Sequence, residues 1–430
     1  MAECPGVFKL SETRDGGLAR IRVPGGLLTS AQLTTVADLA RDRGNGLIDL
    51  THRANLQVRG LGTEGSPKFC DALQHVGLLA ADPVADRLRN ILASPLAGLD
   101  SDEIIDVRPC VAALDQALQS DPGLGGLSPK FSFVFDGGGV GRVGALSHDV
   151  GFLAETTSEG VRLRLSLAGR QTAAMIAPAD ASALAVALAK TAIHLSSDDA
   201  ARMSTALANH SVAEVLDHAR RQQTDIDISH QDPTPRPIVL EPVLGPVRDA
   251  RNVDIAYGLG IPLGRLTEAT ARALAALAEN FGDGLVRLAP WQAVFITGLP
   301  TQAVDAVRSE AHALGLLTEP EDIAIRVSAC SGSTGCMRTE CDTKADGSAV
   351  LAALCRIDAA NRAPMTIHLS GCARGCAHPD ASRLLLLGRP DGGYDAFRDA
   401  RPSSSATGDP FADRIRPDRV ADFVIEFANG

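Results

Sequence analysis

Residues 23–61, VPGGLLTSAQLTTVADLARDRGNGLIDLTHRANLQVRGL, return without a gap as residues 261–299, IPLGRLTEATARALAALAENFGDGLVRLAPWQAVFITGL. Of the 39 paired positions 14 are identical, where chance in so Ala-, Leu- and Gly-rich a chain would give roughly three or four. The shared frame includes Pro24/Pro262, Gly26/Gly264, Thr29/Thr267, Gly44/Gly282, Gly46/Gly284, Leu47/Leu285, Leu50/Leu288 and Gly60/Gly298. Each copy reads strand, helix, strand. Thr29 or Ser30, and Thr267 in the copy, can cap a helix whose apolar positions recur at helical spacing, and the Gly-x-Gly then stops it before an alternating strand.

That frame suits a ferredoxin-like half, present twice, and divides an α+β chain. Residues 1–85 form the first half and 251–320 the second. Residues 86–225 begin with a helix; SPKFSFVFDGGG then makes a strand running into a glycine turn, VRLRLSLAG a strand and ASALAVALAKTAIHL an amphipathic helix. Residues 226–250 lie in a stretch carrying Pro233, Pro235, Pro237, Pro242 and Pro246, which predicts an extended linker. Residues 321–430 hold most of the cysteines, a loop over Ser403–Asp413 and a closing helix over Asp418–Asn429.

With 430 residues, 45% of them hydrophobic and 22% charged, the chain has ample material for several cores. A net charge of -11 argues against a nucleic-acid partner or an anionic membrane surface. The opening MAECPGVFKLSETRDGG has neither a basic n-region nor an apolar h-region, and no stretch reaches the length of a membrane span. The expectation is a cytoplasmic protein.

Four of the cysteines carry the chemistry: Cys330 and Cys336 in ACSGSTGCMR, Cys372 and Cys376 in LSGCARGCAHP. Thiolates are soft ligands suited to iron, and four of them balance the charge of a [4Fe-4S] core while completing each iron's coordination. Gly332, Gly335, Gly371 and Gly375 let the backbone turn tightly and bring amide N–H groups toward the sulfurs. Structural zinc usually takes shorter Cys spacings, and a disulfide framework does not suit a reducing compartment. Cys341 and Cys355, between the pairs, lack such paired glycines; Cys4, Cys70 and Cys110 read as small buried hydrophobes.

Alternation within THRANLQVRG puts Arg53, Asn55, Gln57 and Arg59 on one strand face, with Ala54, Leu56 and Val58 toward the core. The second copy has Trp291, Ala293, Phe295 and Thr297 in those places, so the charge is confined to the first half. Arg87, Arg89 and Lys130 add cations from neighbouring elements. A row of cations and amides suits an anionic ligand; a solvated strand face is the plainer alternative.

Together, Cys-x5-Cys, Cys-x3-Cys, the duplicated halves and THRANLQVRG resemble the nitrite/sulfite reductase superfamily over nearly the whole chain. The resemblance implies a [4Fe-4S] cluster on Cys330, Cys336, Cys372 and Cys376, with Cys376 matching the cysteine that bridges cluster and siroheme. It implies that residues 86–225 bind a tetrapyrrole, that 321–430 bind the cluster, and that Arg53, Gln57, Arg59, Arg89 and Lys130 hold the substrate, Arg53 and Lys130 being the best catalytic guesses. One departure matters: sulfite reductases have Lys-Phe-Lys where this chain has Lys130, Phe131 and Ser132. With GCARGCAHP and the PWQ of the second copy, that looks like the precorrin-3B synthase branch of aerobic cobalamin biosynthesis. Its members use dioxygen to hydroxylate precorrin-3A at C20, the ring A acetate closing a γ-lactone. Siroheme-dependent sulfite or nitrite reduction is the alternative, and a non-catalytic tetrapyrrole carrier a third.

Triplet dioxygen reacts poorly with a closed-shell macrocycle, and a cluster with four thiolates is coordinatively full, so the resemblance also implies a mononuclear non-haem iron. Candidate ligands are His378 with Asp380, His148 with Asp149, and His52; none forms a recognisable facial triad. Gly139, Gly141 and Gly144 satisfy GxGxxG, but no crossover helix follows, so they read as a hairpin turn. Electrons are therefore expected from outside, from a ferredoxin or an NAD(P)H-linked reductase.

Overall fold

The computed structural model describes residues 5–62, 67–196, 200–223, 225–232, 240–249, 251–356, 365–403 and 408–429. Cys4, Pro233, Pro235 and Pro237 lie outside the described residues.

Thr29 caps the helix Ser30–Arg43 through a full capping box, its hydroxyl accepting from the Gln32 N–H while the Gln32 side chain returns to the Thr29 N–H. Thr267 caps Glu268–Phe281 without the reciprocal bond, its hydroxyl accepting from the Thr270 N–H. Both helices end on the shared glycine for one steric reason. A Cβ on Gly44 would lie 2.4 Å from the Arg59 carbonyl oxygen, and one on Gly282 2.4 Å from that of Thr297. Backbone shape has outlived sequence elsewhere: Gly25 and Leu263 both have positive φ (66° and 53°), as do Ala54 and Gln292 (51° and 60°).

The two halves trade strands. The first sheet runs Ser11–Thr13, Gly16–Ile21, Leu56–Leu61, Leu47–Leu50 and then Arg265–Thr267, which comes from the second copy. Its counterpart runs Gly245–Arg248, Asp254–Gly260, Ala293–Thr297, Leu285–Ala289 and then Leu27–Thr29 from the first. The exchange is sealed symmetrically, Ser30 N–H donating to the Gly284 carbonyl and Glu268 N–H to that of Gly46, each at 2.8 Å. Leu33, Val36, Leu274 and Leu277 then share one core under both sheets. Each such side chain contributes about 1.5–3 kcal/mol by burial, so neither half is a self-sufficient unit.

Two further sheets follow one plan. Ile91–Ala93, Phe133–Asp136 and Val150–Thr157 are parallel neighbours, and Gly160–Leu167, Arg170–Ile176 and Ile228–His230 continue antiparallel. Val327–Ala329, Ile367–Ser370 and Ser382–Gly388 are likewise parallel, then Tyr394–Ala400 and Ala412–Ile415 antiparallel. The duplication therefore extends to the second pair of domains.

Two expectations change. The linker ends in paired strands on both sides, Ile228–His230 on Arg170–Ile176 and Gly245–Arg248 on Asp254–Gly260. The glycine turn is no hairpin, because the strands it joins are parallel. It wraps instead on the buried Asp136 carboxylate, which accepts from the N–H groups of Gly138, Val143 and Gly144. Among the described residues no helix is long and apolar enough to cross a membrane.

Candidate cluster and tetrapyrrole site

Cys330 follows Val327–Ala329 and Cys372 follows Ile367–Ser370, and these strands are parallel neighbours. Both cysteine loops thus leave the same sheet edge, which is why pairs far apart in sequence meet. Gly371 N–H donates to Cys330 Sγ at 3.3 Å, Thr343 Oγ1 lies 3.4 Å from that sulfur, and Ser370 Oγ donates to the Cys372 carbonyl at 2.8 Å. Although Cys376 is solvent-exposed as a residue, protein packed around its sulfur pushes the thiol up to about 11, and Cys330, Cys372 and Cys336 push it the same way. A sulfur-directed N–H on Cys330 and three neighbouring sulfurs that disfavour the Cys376 thiolate fit a cationic occupant whose charge reverses that shift.

The Cys341 sulfur lies 3.3 Å from the Gly393 carbonyl, and burial raises its pKa. Cys355 caps the far end of the helix Thr343–Leu354, whose first residue touches Cys330, so about 18 Å of helix separates them. Cys70 and Cys110 are half-buried at core edges rather than fully buried. Among the described residues no three His, Cys, Asp or Glu side chains are placed to hold a single metal ion. In a four-iron cluster each thiolate instead serves its own iron.

Arg59 is buried and committed to protein. Its guanidinium pairs with Asp15 (2.9 and 3.0 Å) and Asp49 (3.3 Å) and donates to Ser331 Oγ (3.0 Å) and the Gly335 carbonyl (2.6 Å). Asp49 also takes a two-pronged bond from Arg265, at 2.7 and 2.9 Å. Burial alone would raise Asp49, but Arg265, Lys344 and Arg59 outweigh it and hold it below the ordinary carboxylate range. Burial pushes Lys344 down to about 8, and its ammonium bonds the Leu263 carbonyl.

The other expected cations divide. Arg53 is not on a strand: the strand starts at Leu56, and residues 51–55 form a turn in which Thr51 Oγ1 accepts from the Arg53 and Asn55 N–H groups. Arg53 donates to the Lys130 carbonyl at 3.1 Å, so these two expected ligands meet. Asn55 is buried and braces the Val23 N–H. Arg89 points elsewhere, forked onto Asp115 at 2.7 and 3.0 Å, because its neighbour Asn90 takes the place near Lys130, bonding the Pro129 and Phe131 carbonyls. Arg59 and Arg89, both expected to face a ligand, are thus each paired with carboxylates of the protein, and Arg89 keeps one buried guanidinium nitrogen without a hydrogen-bond partner among the described residues.

Gln57 keeps company that sequence reading missed. Arg20 stands opposite it across the strand pair, and the Gln57 amide oxygen accepts from Arg20 Nε and NH2 at 3.1 and 2.8 Å. In the second copy the same register pairs Gly258 with Phe295. Extending the repeat a few residues upstream of Val23 would have exposed the contrast.

Of the candidate iron ligands, His148 and Asp149 are structural. His148 bonds the Leu146 carbonyl and Ser166 Oγ, and Asp149 accepts from Ser132 N–H, Arg202 and Met203 N–H. His52 and His378 come together beside Cys376, with His368 as an unforeseen third, its ring 5.8 Å from that of His378. Burial, then the nearby cations Arg53 and Arg20, lowers His52 to about 3; burial, then His378, lowers His368 to about 3. Both stay neutral near pH 7, and both nitrogens of His368 are buried with no partner among the described residues. Asp380 is exposed nearby and opposes the fall in the His378 pKa that burial causes.

Residues 11–76 and 248–314 match the family described as the nitrite/sulfite reductase ferredoxin-like half domain, and residues 84–195 the nitrite and sulphite reductase 4Fe-4S domain. The latter stretch precedes the four cysteines, which stand on the topologically equivalent second sheet. The chain belongs to the nitrite/sulfite reductase superfamily. Within it the chain resembles the precorrin-3B synthase branch: it is 30% identical over 392 residues to a precorrin-3B synthase of Sinorhizobium sp, covering 90% of this chain and 81% of that one. It is 28% identical over 419 residues to the ferredoxin–nitrite reductase of Synechococcus elongatus, covering 91% and 81%. The solved structure of Mycobacterium tuberculosis NirA shares the fold, with a TM-score of 0.79 at 19% identity, covering 95% of this chain and 79% of that one. The chain is therefore an oxidoreductase of the [4Fe-4S] type.

Proposed function

We propose that this protein converts precorrin-3A to precorrin-3B, hydroxylating C20 with dioxygen while the ring A acetate closes a γ-lactone, in the cytoplasm. The cluster on Cys330, Cys336, Cys372 and Cys376 supplies single electrons when bound. Arg53, whose guanidinium donates to the Lys130 backbone carbonyl at 3.1 Å, the Lys130 ammonium and the Arg20–Gln57 pair bind the substrate carboxylates, each charge-assisted bond contributing about 1.5–3 kcal/mol. His52, His378 and His368 keep neutral imidazoles beside Cys376, where a mononuclear iron would be sought. The reductant is an external ferredoxin or NAD(P)H-linked protein.

Ser132 carries the choice between branches. It is buried, its hydroxyl has no partner among the described residues, and it stands where the resemblance places the reductases' second lysine. A hydroxyl in that pocket cannot supply the cation and proton that reduction of a small oxyanion needs. The second reading, a siroheme-dependent sulfite or nitrite reductase, is favoured by retention of Arg53, Lys130 and Cys376 together.

The deciding experiment is anaerobic purification with iron and sulfide analysis, a visible spectrum, and turnover of precorrin-3A under dioxygen followed by mass. Four irons or five, no haem band and an oxygenated product support the synthase. A siroheme band with viologen-dependent loss of sulfite or nitrite refutes it.

A further inference from the structure

The loop between Cys330 and Cys336 is held from another domain. Arg59, on the first-half strand Leu56–Leu61, donates to Ser331 Oγ at 3.0 Å and to the Gly335 carbonyl at 2.6 Å, and both acceptors lie inside that loop. The guanidinium is 1% exposed, and a Cβ on Gly335 would lie 2.3 Å from its NH2, so arginine and loop are in tight contact. Asp15 and Asp49 orient the guanidinium from behind, and Asp49 is itself held by Arg265 from the second copy. Three cations, Arg59, Arg265 and Lys344, thus stand among three carboxylates, Asp15, Asp49 and Asp342, so removing the Arg59 charge would leave a negative excess beside the thiols.

A four-thiolate [4Fe-4S] centre is anionic and gains a further negative charge on reduction, so a buried cation beside it favours the reduced state. We propose that Arg59 is a positioning residue for the cluster. One guanidinium from the first ferredoxin-like half fixes the Cys-x5-Cys loop in its ligating shape and raises the reduction potential, so cluster retention is governed from outside the domain that carries the cysteines. This rests on the cluster assignment above.

The other copy provides the control. Arg287, at the position equivalent to Asp49, donates to the Pro95 and Ala97 carbonyls in the loop after Ile91–Ala93. That loop is clamped and has no cysteine. An arginine in a loop is therefore a feature of the fold, and a test must read the cluster itself.

Full-length chain is purified anaerobically as wild type, Arg59→Gln, Arg59→Lys and Gly335→Ala. Iron, acid-labile sulfide, far-UV circular dichroism and an EPR-monitored redox titration are measured on each. Arg59→Gln is expected to keep its circular dichroism, lose at least half of the wild-type iron and sulfide, and show a lower midpoint potential in the cluster that remains. Arg59→Lys, which keeps the charge and loses the fork, should lose iron with a smaller shift in potential. Gly335→Ala displaces the same contact from the loop side and should also lose iron. Wild-type iron and potential in Arg59→Gln overturn the proposal; if that variant does not fold, wild-type values in both Arg59→Lys and Gly335→Ala overturn it. A wild-type protein without iron and sulfide defeats the cluster assignment instead, and the proposal with it.

Discussion

Replacing Asp49 by alanine should be among the most damaging single changes outside the cysteines. Asp49 is 7% exposed and takes two bonds from Arg265, at 2.7 and 2.9 Å, and one from Arg59 at 3.3 Å. Its loss leaves the buried Arg59 paired with Asp15 alone and the half-buried Arg265 without its forked partner, with Lys344 close by. Breaking a buried pair by removing one partner costs about 3–5 kcal/mol, because the remaining charge stays desolvated. Asp49→Asn keeps the shape and should cost less. Asp49→Leu with Arg265→Met removes both partners and should recover part of the loss. The assay is urea denaturation of anaerobic protein followed by circular dichroism, with cluster absorbance as a second probe. The pH dependence has a fixed sign. The folded-state pKa of Asp49 is depressed, so its contribution is full above the ordinary carboxylate pKa and disappears as pH falls through the lower folded value. The gap between wild type and Asp49→Asn should therefore be present near pH 5 and close in more acidic solution, while toward pH 8 the titration of Lys344 also enters it. A cost below about 1 kcal/mol, the range of exposed pairs, would show that water screens the network and would refute the reasoning.

Arg53→Ala should weaken precorrin binding by about 1.5–3 kcal/mol in an anaerobic titration, and an unchanged affinity would remove Arg53 from the pocket. Arg89→Gln, by contrast, should leave that affinity unchanged and lower stability, since its fork is spent on Asp115. Cys341→Ala should keep wild-type iron and sulfide, whereas Cys376→Ala should not; equal loss in both would mean that Cys341 is a ligand. Thr29→Ala breaks the capping box of Ser30–Arg43 and should cost about 1 kcal/mol in urea denaturation, without changing the visible spectrum.

What sequence made legible was what repeats or binds locally. The glycines at 44 and 282, the caps at 29 and 267 and the spacing of the cysteines each state a short-range constraint, and each has its physical counterpart in the fold. The strand exchange was hidden because Leu27–Thr29 and Arg265–Thr267 are three residues each, too short for any period to declare a partner. Alternation misplaced Arg53 because a turn with positive φ at Ala54 resets the register just before the strand. Counting cations left out the counter-charges of Arg59 and Arg89, because these come from Asp15, Asp49 and Asp115, residues with no signature of their own. His368 was missed because it sits inside an apolar strand and reads as core.

A fold with twofold symmetry could carry two sites, and under the proposed function the residues that break the symmetry are the reason it would carry one. In the first copy Arg20 and Gln57 face each other across paired strands; in the second the same pair is Gly258 and Phe295, and a Cβ on Gly258 would lie 2.9 Å from the phenylalanine ring. A glycine suits that position because the aromatic ring lies where its side chain would be. Trp291, in the place of Arg53, packs edge-on to Phe295 at 6.1 Å and donates its indole N–H to the Val243 carbonyl. Polar side chains kept for a ligand are costly to bury, and a copy without one stabilises the fold by burying rings instead. The asymmetry is therefore what duplication leaves when one half keeps the chemistry and the other becomes its scaffold. Restoring the second site would require emptying a packed aromatic core, not adding a few charges.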